Sequence, residues 1–394
     1  MKKYMIIVIY IGMVLTGCSN YTESNNIGLI TGMGIDYDKE SDLYEVTLQM
    51  INPSGVAGSS QGSGGIPVHQ IEGKGNTISE ATRNSSKKIS RTNIFSHLSA
   101  VVISEELARE KGINFILDAF ERDARVRTNI PIIVARGHSA KIMLSILPAQ
   151  DKIPSVAFVK KINDTAKVLG ENTEITIFNT VSAISSKGKE PVINGMRIVG
   201  NVEQGASKAN DEKVENTYVM ADGLAIFQKG YLVNWLDGEK AKSIQMLRNE
   251  MKSSNISISC PKKEGNLSIE IRRLKRNTNV VYEKGQAKIK IELVGSAALN
   301  ELLCDIEFNK QEVLNQLEKN LNHKIKKDVL EAIRFAQTEE SDIFGFGEVL
   351  HRKSPKQWRK VEKNWNEQFA AAEIEIKVRM NIIGIGMRNT TYPF

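Results

Sequence analysis

The residues able to do chemistry are few and scattered. The five histidines are His69, His97, His138, His323 and His351, and none has the HExxH spacing that sets two imidazoles on one helical face around zinc. Each reads as a surface or satisfied core residue. Gly58-Ser59-Ser60-Gln61-Gly62 has the letters of a GxSxG nucleophile elbow. That elbow needs a strand before it and a helix after it, whereas here it lies in a stretch rich in glycine and serine. No GxxxxGK[ST] phosphate loop is present, and no GxGxxG opens a helix. Asp36 and Asp38 flank a turn, where solvated carboxylates are ordinary, so an acid–base pair for glycoside hydrolysis lacks support. Cys260 and Cys304 stand in apolar, strand-like contexts (ISISC and ELLCDIEF). They either pair in an oxidising exterior or pack as small buried hydrophobes, and the contexts favour buried thiols. With no CxxC and no Cys/His cluster, a metal site is not expected. No cofactor is implied.

Cys18 is different. Lys2 and Lys3 make a positive start, and Met5 to Leu15 form a mostly apolar run. The run is too short to cross roughly 30 Å of hydrocarbon but suits the h-region of a secretory signal. It ends in Leu15-Thr16-Gly17-Cys18, the pattern of a bacterial lipobox. There a cysteine thiol is alkylated with diacylglycerol before a peptidase cuts in front of it, and small residues suit that cleavage site. Two acyl chains, at roughly 0.8 kcal/mol per buried CH₂, anchor far more firmly than one. Cleavage would leave a mature chain that is soluble and tethered.

Composition agrees with such a body. The chain has 394 residues, 41% hydrophobic and 25% charged, which excludes a disordered chain, a collagen-like fibre and a multi-span membrane protein. Its net charge of +7 is modest and spread, and suits an anionic membrane surface better than a nucleic-acid groove. Basic residues cluster at Arg272, Arg273, Lys275 and Arg276 and from His351 to Lys363. These are solvated faces or contacts to phospholipid headgroups or an acidic partner. No aromatics are interleaved with them as single-stranded nucleic acid would require.

Periodicity predicts strands over Ile27–Asp36, Leu43–Ile51 and Pro67–Glu72, with a glycine- and serine-rich loop over Pro53–Gly65. A capping box at Thr77 and Glu80 starts a helix to about Ser90. Strands over His97–Ile103, Ile130–Ala135 and Pro191–Val199 alternate with helices at 105–120, Ser139–Ile146, Ser155–Val168 and Phe178–Ser185. That alternation suits a sheet covered by helices. The polar run Gly200–Glu215 is a linker or a hairpin tip. Strands then dominate over Tyr218–Phe227, Tyr231–Trp235, Ile256–Cys260, Leu267–Leu274 and Ala287–Val294, interrupted by a helix from Gly238. Apolar residues at three-to-four spacing from Val313 to Ala336 predict a long amphipathic helix, with a break at Asn322 as one option. Ala372–Gly384 alternates apolar and charged residues and is the strongest strand signal. The fold class is α+β, with mixed or antiparallel sheets and helices packed on them. The expected division is a signal peptide (1–17), a tether (18–26), an N-terminal α/β domain (27–199), a linker (200–216), a β-rich middle domain (217–275) and a C-terminal α+β domain (276–394).

Several stretches together resemble the Ger(x)C family, the lipoprotein C subunits of spore germinant receptors. They are Met33-Gly34-Ile35-Asp36-Tyr37-Asp38, Ile78 to Arg83, Leu98 to Ile103, and Glu106-Leu107-Ala108-Arg109. Further on come Gly223 to Phe227 and Val233 to Glu239. The most specific are Ser341-Asp342-Ile343-Phe344-Gly345-Phe346-Gly347, His351-Arg352, Pro355 to Trp358, and Trp365 with Phe369. The insertion around Gly58–Gly65 and Asn234 in place of an expected glycine depart from the pattern.

The resemblance implies a three-domain extracytoplasmic protein, lipid-anchored on the outer face of the spore's inner membrane. It implies work with integral-membrane A and B subunits in a complex that senses nutrients and triggers ion and dipicolinate release. It carries over one site residue, Cys18, as the lipid-attachment point, and no catalytic residue. From the residues alone, Trp358, Trp365 and Phe369, at spacings of seven and four, fall on one helical face with Pro355 in its first turn and Ser354 as cap. They read as core, or as an aromatic patch for docking a partner. The expected function is a non-catalytic receptor subunit. The alternative is a free-standing solute-binding lipoprotein, with a surface hydrolase a distant third.

Overall fold

Alternating strands and helices in the first half, and a strand-rich second half, build two sheets. The computed structural model describes residues 26–57, 65–207, 210, 217–251, 253–261, 264–304 and 310–384. The lipobox residues Leu15, Thr16, Gly17 and Cys18, and the whole GxSxG stretch, lie outside them.

In chain order the elements are β1 (Ile27–Asp38), β2 (Leu43–Ile51), α1 (Pro53–Ala57), β3 (Val68–Gly75), α2 (Ile78–Ser85), β4 (Thr92–Ile94) and β5 (Ala100–Ser104). Next come α3 (Glu105–Glu110), α4 (Asn114–Arg122), β6 (Ile132–Ala135), α5 (Ala140–Ser145), α6 (Pro154–Val168), α7 (Ile177–Ser185) and β7 (Val192–Val199). Then follow α8 (Val202–Gly205), β8 (Tyr218–Gln228), β9 (Tyr231–Leu236), α9 (Gly238–Arg248), β10 (Ser254–Ser259), β11 (Asn266–Glu283) and β12 (Gln286–Leu302). The chain closes with α10 (Gln311–Thr338), α11 (Phe346–Lys353), α12 (Pro355–Trp358), α13 (Trp365–Ala370) and β13 (Glu373–Gly384).

The first sheet runs β3-β2-β1-β5-β6-β7-β8-β9, with β4 beside the start of β1. Its centre is parallel (β1, β5, β6, β7) and its flanks are antiparallel hairpins. A parallel centre is buried on both faces, which is why Ala100–Ile103 and Ile132–Ala135 are unbroken apolar runs. Val101, Ile103 and Val134 face α2, α3 and α4, while Val102, Ile133 and Ala135 face Met143 and Leu144 of α5 and Phe158 of α6. The second sheet runs β10-β11-β12-β13. β12 and β13 are parallel, and α10 connects them, packing through Leu317, Leu321, Ile325, Val329 and Ile333.

Strand pairing crosses both expected boundaries. Val199 of β7 pairs with Tyr218 of β8, so the polar run at 200–216 joins neighbouring strands of one sheet, as a hairpin connection does. The division at 275/276 falls inside β11. That strand outruns its expected end at Leu274 because Lys275–Asn279 stay largely exposed and show no apolar face, yet they pair with β12 up to the Lys284-Gly285 turn. Both turn residues have positive φ (52° and 82°), as a two-residue hairpin turn demands.

Cys260 and Cys304 form a disulfide, which corrects the expectation of two free thiols. β10 and β12 flank β11, so their ends converge and bring the two Cα atoms to 6.5 Å. Sequence alone holds no such distance.

Helix α10 runs unbroken through Asn322, whose side chain has another use. Asn322 Oδ1 accepts from the Met380 amide (2.8 Å), and Glu318 Oε1 accepts from the Ile382 amide (2.8 Å). β13 is an edge strand, and two of its amides are thus satisfied by helix side chains. Arg109 of α3 does the same for the other sheet, donating to the carbonyls of Leu232 and Val233 on edge strand β9.

Candidate functional site

The most specific motif of the sequence lies where the two sheets meet. After α10 ends, Glu340 takes a left-handed conformation (φ 48°) and turns the chain back toward the first sheet. The Ser341 hydroxyl donates to the Phe227 carbonyl on β8 (2.5 Å). Asp342 is then fully buried. Its Oδ1 accepts from the amides of Phe344 (3.2 Å) and Phe346 (3.1 Å). Its Oδ2 accepts from the Gly347 amide (2.8 Å) and the Trp365 indole (2.8 Å). One carboxylate therefore caps the start of α11 and ties α13 to it. Burial raises the Asp342 pKa, and the four donors work against that rise. Arg276 donates to the Phe344 carbonyl from the hairpin of the second sheet (3.3 Å).

Trp358, Trp365 and Phe369 are 1%, 3% and 0% exposed, so they form part of this core and offer no docking patch. Nor do they share one helix. Trp358 ends α12, a 3₁₀ turn at Glu362–Asn364 intervenes, and Trp365 begins α13. The two indoles meet at 5.5 Å between centroids with their planes tilted by 55°, and Phe369 lies 6.0 Å from Phe346. Pro355 does occupy the first turn of α12, but the Ser354 side chain makes no cap hydrogen bond.

The segment before β7 is fastened to this motif. The Glu190 amide donates to the Asp342 carbonyl (2.9 Å), and the Glu348 amide to the Gly188 carbonyl (3.1 Å). Gly188 (φ +80°) and Gly347 touch backbone to backbone. A Cβ on Gly347 would stand 2.5 Å from the Trp365 indole nitrogen and 2.7 Å from the Gly188 Cα. Only glycine permits so close an approach. A polar cavity of about 330 Å³ opens beside the contact, lined by Lys189, Glu190, Gln228, Lys229, Asn364 and Asn366 among others. Glu190 accepts from the Lys229 amide and the Asn366 amide group, and burial raises its pKa.

A second cavity, about 560 Å³, lies between α2 and α4 in the first sheet. Met33, Ile78, Phe95 and Phe120 make it apolar, and Arg83 and Arg125 stand at its walls.

The remaining candidates are used structurally. Asp36 accepts from the amides of Ala140 (2.7 Å) and Lys141 (3.0 Å) at the start of α5, while Asp38 pairs with Lys74 (2.8 Å). Arg272 pairs with Glu270, and Lys353 donates to the Thr278 carbonyl (2.8 Å). Among the described residues no group of three or more His, Cys, Asp or Glu side chains converges as metal ligands would. Asp342 stood in the most specific motif without an assigned role, and Gly188 stood outside every motif. An aspartate set among Ile343, Phe344, Gly345 and Phe346 was the available signal, since a carboxylate in apolar company must find donors.

Comparison with known proteins follows the same layout. A family model described as "Spore germination protein N-terminal domain" matches residues 20–198, and one described as "Spore germination B3/ GerAC like, C-terminal" matches 222–386. Spore germination protein KC of Bacillus subtilis (strain 168) is 31% identical over 385 residues, 96% of this chain and 94% of that one. Spore germination protein B3 of the same organism is 24% identical over 390 residues, 96% of this chain and 97% of its own. The crystal structure of the GerBC protein superposes with a TM-score of 0.56 at 19% identity, covering 89% of this chain and 97% of that one.

Proposed function

The chain belongs to the B3/GerAC-like family of spore germination proteins, and on that footing we propose that it is the non-catalytic, lipid-anchored subunit of a nutrient germinant receptor. One observation carries this reading. The two family models cover the chain in order, and the first begins at residue 20, directly behind Leu15-Thr16-Gly17-Cys18. Diacylation at Cys18 would hold the folded body on the outer face of the spore's inner membrane. Confinement raises the effective concentration seen by integral-membrane A and B subunits, to the millimolar range for a short flexible link.

The test is purification from spore membranes beside a Cys18→Ala strain. Wild type is expected to co-elute with two integral-membrane subunits and to carry lipid on Cys18 by mass spectrometry. The variant is expected to lose assembly and nutrient response. Full response and assembly without the thiol would overturn the reading.

The apolar cavity between α2 and α4 favours the second reading, a free-standing solute-binding lipoprotein. Calorimetric titration of residues 19–394 with candidate nutrients separates the two. Strong binding without partners supports the second reading.

A further inference from the structure

The strands β1, β4, β5 and β6 run in one direction. β1 and β4 start level at one edge of the first sheet, and β5 and β6 start further in, beside Gly32 and beyond. Ile27 is in register with Thr92, Gly32 with Ala100, and Val101 with Ile132. The segment preceding β1 therefore leaves the fold beside Arg91. β3 ends at the opposite edge, since Gly75 pairs with Tyr44 and Tyr44 with Tyr37. Helix α2 must run back from there, and it delivers Ser86–Arg91 to the edge where β4 starts. The loop after α4 reaches the same neighbourhood. Arg125 lies 5.6 Å over the ring of Phe95, which follows β4, and Arg127 precedes the strand start at β6.

This edge has an unbalanced charge. From Thr77 to Phe95 the basic residues are Arg83, Lys87, Lys88 and Arg91, against Glu80 alone. Glu80 is already engaged by the Asn76 amide. All four cations and Arg127 are exposed. Among the described residues Lys87, Lys88, Arg91 and Arg127 have no acidic partner, whereas Arg83 lies within electrostatic reach of the Asp123 carboxylate. Neighbouring Arg122 and Arg125 are paired, with Asp118 and Asp123. Eight residues lie between Cys18 and Ile27, a span of at most about 32 Å when fully extended.

Resting on the anchored reading above, we propose that this edge is a membrane-contacting surface. Arg83, Lys87, Lys88, Arg91 and Arg127 meet the phosphates of anionic phospholipids and set the orientation of the body on the bilayer. The anchor brings these side chains within reach of headgroups, where unpaired cations gain most, because the surface potential decays over roughly 8 Å at physiological salt.

The test uses the mature chain from residue 18 with Cys18→Ser, which retains every described element. It is sedimented with phosphatidylcholine vesicles and with vesicles containing phosphatidylglycerol. Wild type is expected to bind the anionic vesicles, more weakly as salt rises, and to leave the neutral ones. Lys87→Gln/Lys88→Gln/Arg91→Gln is expected to lose on the order of a hundredfold in affinity. The same change at Lys356, Arg359 and Lys360 is expected to have no effect. Matching thermal melts establish that the variants fold, and single substitutions, each losing about fivefold, replace any triple that does not.

Absence of anionic binding, equal binding to neutral vesicles, or retention by the Lys87/Lys88/Arg91 variant would overturn the proposal. Because the thiol is replaced, the outcome is independent of acylation. A bare Cys18 in native material would sink the anchored reading and leave this result standing.

Discussion

At the scale of single residues, Asp342 ties α11 to α13 at the junction of the two sheets. Its two oxygens meet four donors in a site closed to water, so the side chain cannot be replaced without stranding some of them. Asp342→Asn turns an amide donor toward two N–H groups. It is expected to destabilise the fold by about 2–3 kcal/mol, read as a lower urea midpoint at unchanged slope. An unchanged midpoint would mean that the network is dispensable. Before folding, Ser341–Gly347 was legible as a distinctive motif, but the partners of Asp342 were not. The indole of Trp365 lies 23 residues further on, and periodicity carries no information about such a pairing. Trp358, Trp365 and Phe369 were legible as companions for a different reason than the real one. Spacing suggested one helix, whereas ring contacts in one buried core unite them, Trp358 with Trp365 and Phe369 with Phe344 and Phe346.

At the scale of elements, strong local patterns translated well. The 28-residue α10 and the alternating β13 emerged within a residue or two of their expected limits, because each carries an uninterrupted period. α2 stopped at Ser85, short of its expected end, and the three-residue β4 escaped notice because so short a strand has no period to read. The disulfide was illegible because it depends on strand order. It closes a 44-residue separation across β11 and β12, and a loop of that size predicts about 4 kcal/mol of stabilisation in the chain-entropy picture. Cys304→Ser is expected to lose about 2–4 kcal/mol in urea unfolding, and reductant is expected to bring wild type down to the same level. Equal midpoints with and without reductant would show that the bond contributes nothing.

At the scale of the whole molecule, periodicity rightly indicated an α+β body. The joint expected at 200–216 falls where the two family models part, yet it lies within one sheet. Polar runs such as 200–216 look like linkers, yet strands on either side pair directly, and one apolar core runs from Ile30 in β1 to Met380 in β13. With Ser341, Asp342 and the Gly188–Gly347 contact added, the two sheets should melt together. A single calorimetric transition, with van't Hoff and calorimetric enthalpies equal, is the expected result. Two resolved transitions would show that the halves are energetically separate.

The side chains of Arg109, Asn322 and Glu318, which occupy backbone groups on one outer strand of each sheet, β9 and β13, have a consequence between molecules. A bare strand border is a template on which a second molecule's strand can pair. These three side chains take up donors and acceptors that such pairing at β9 and β13 would need.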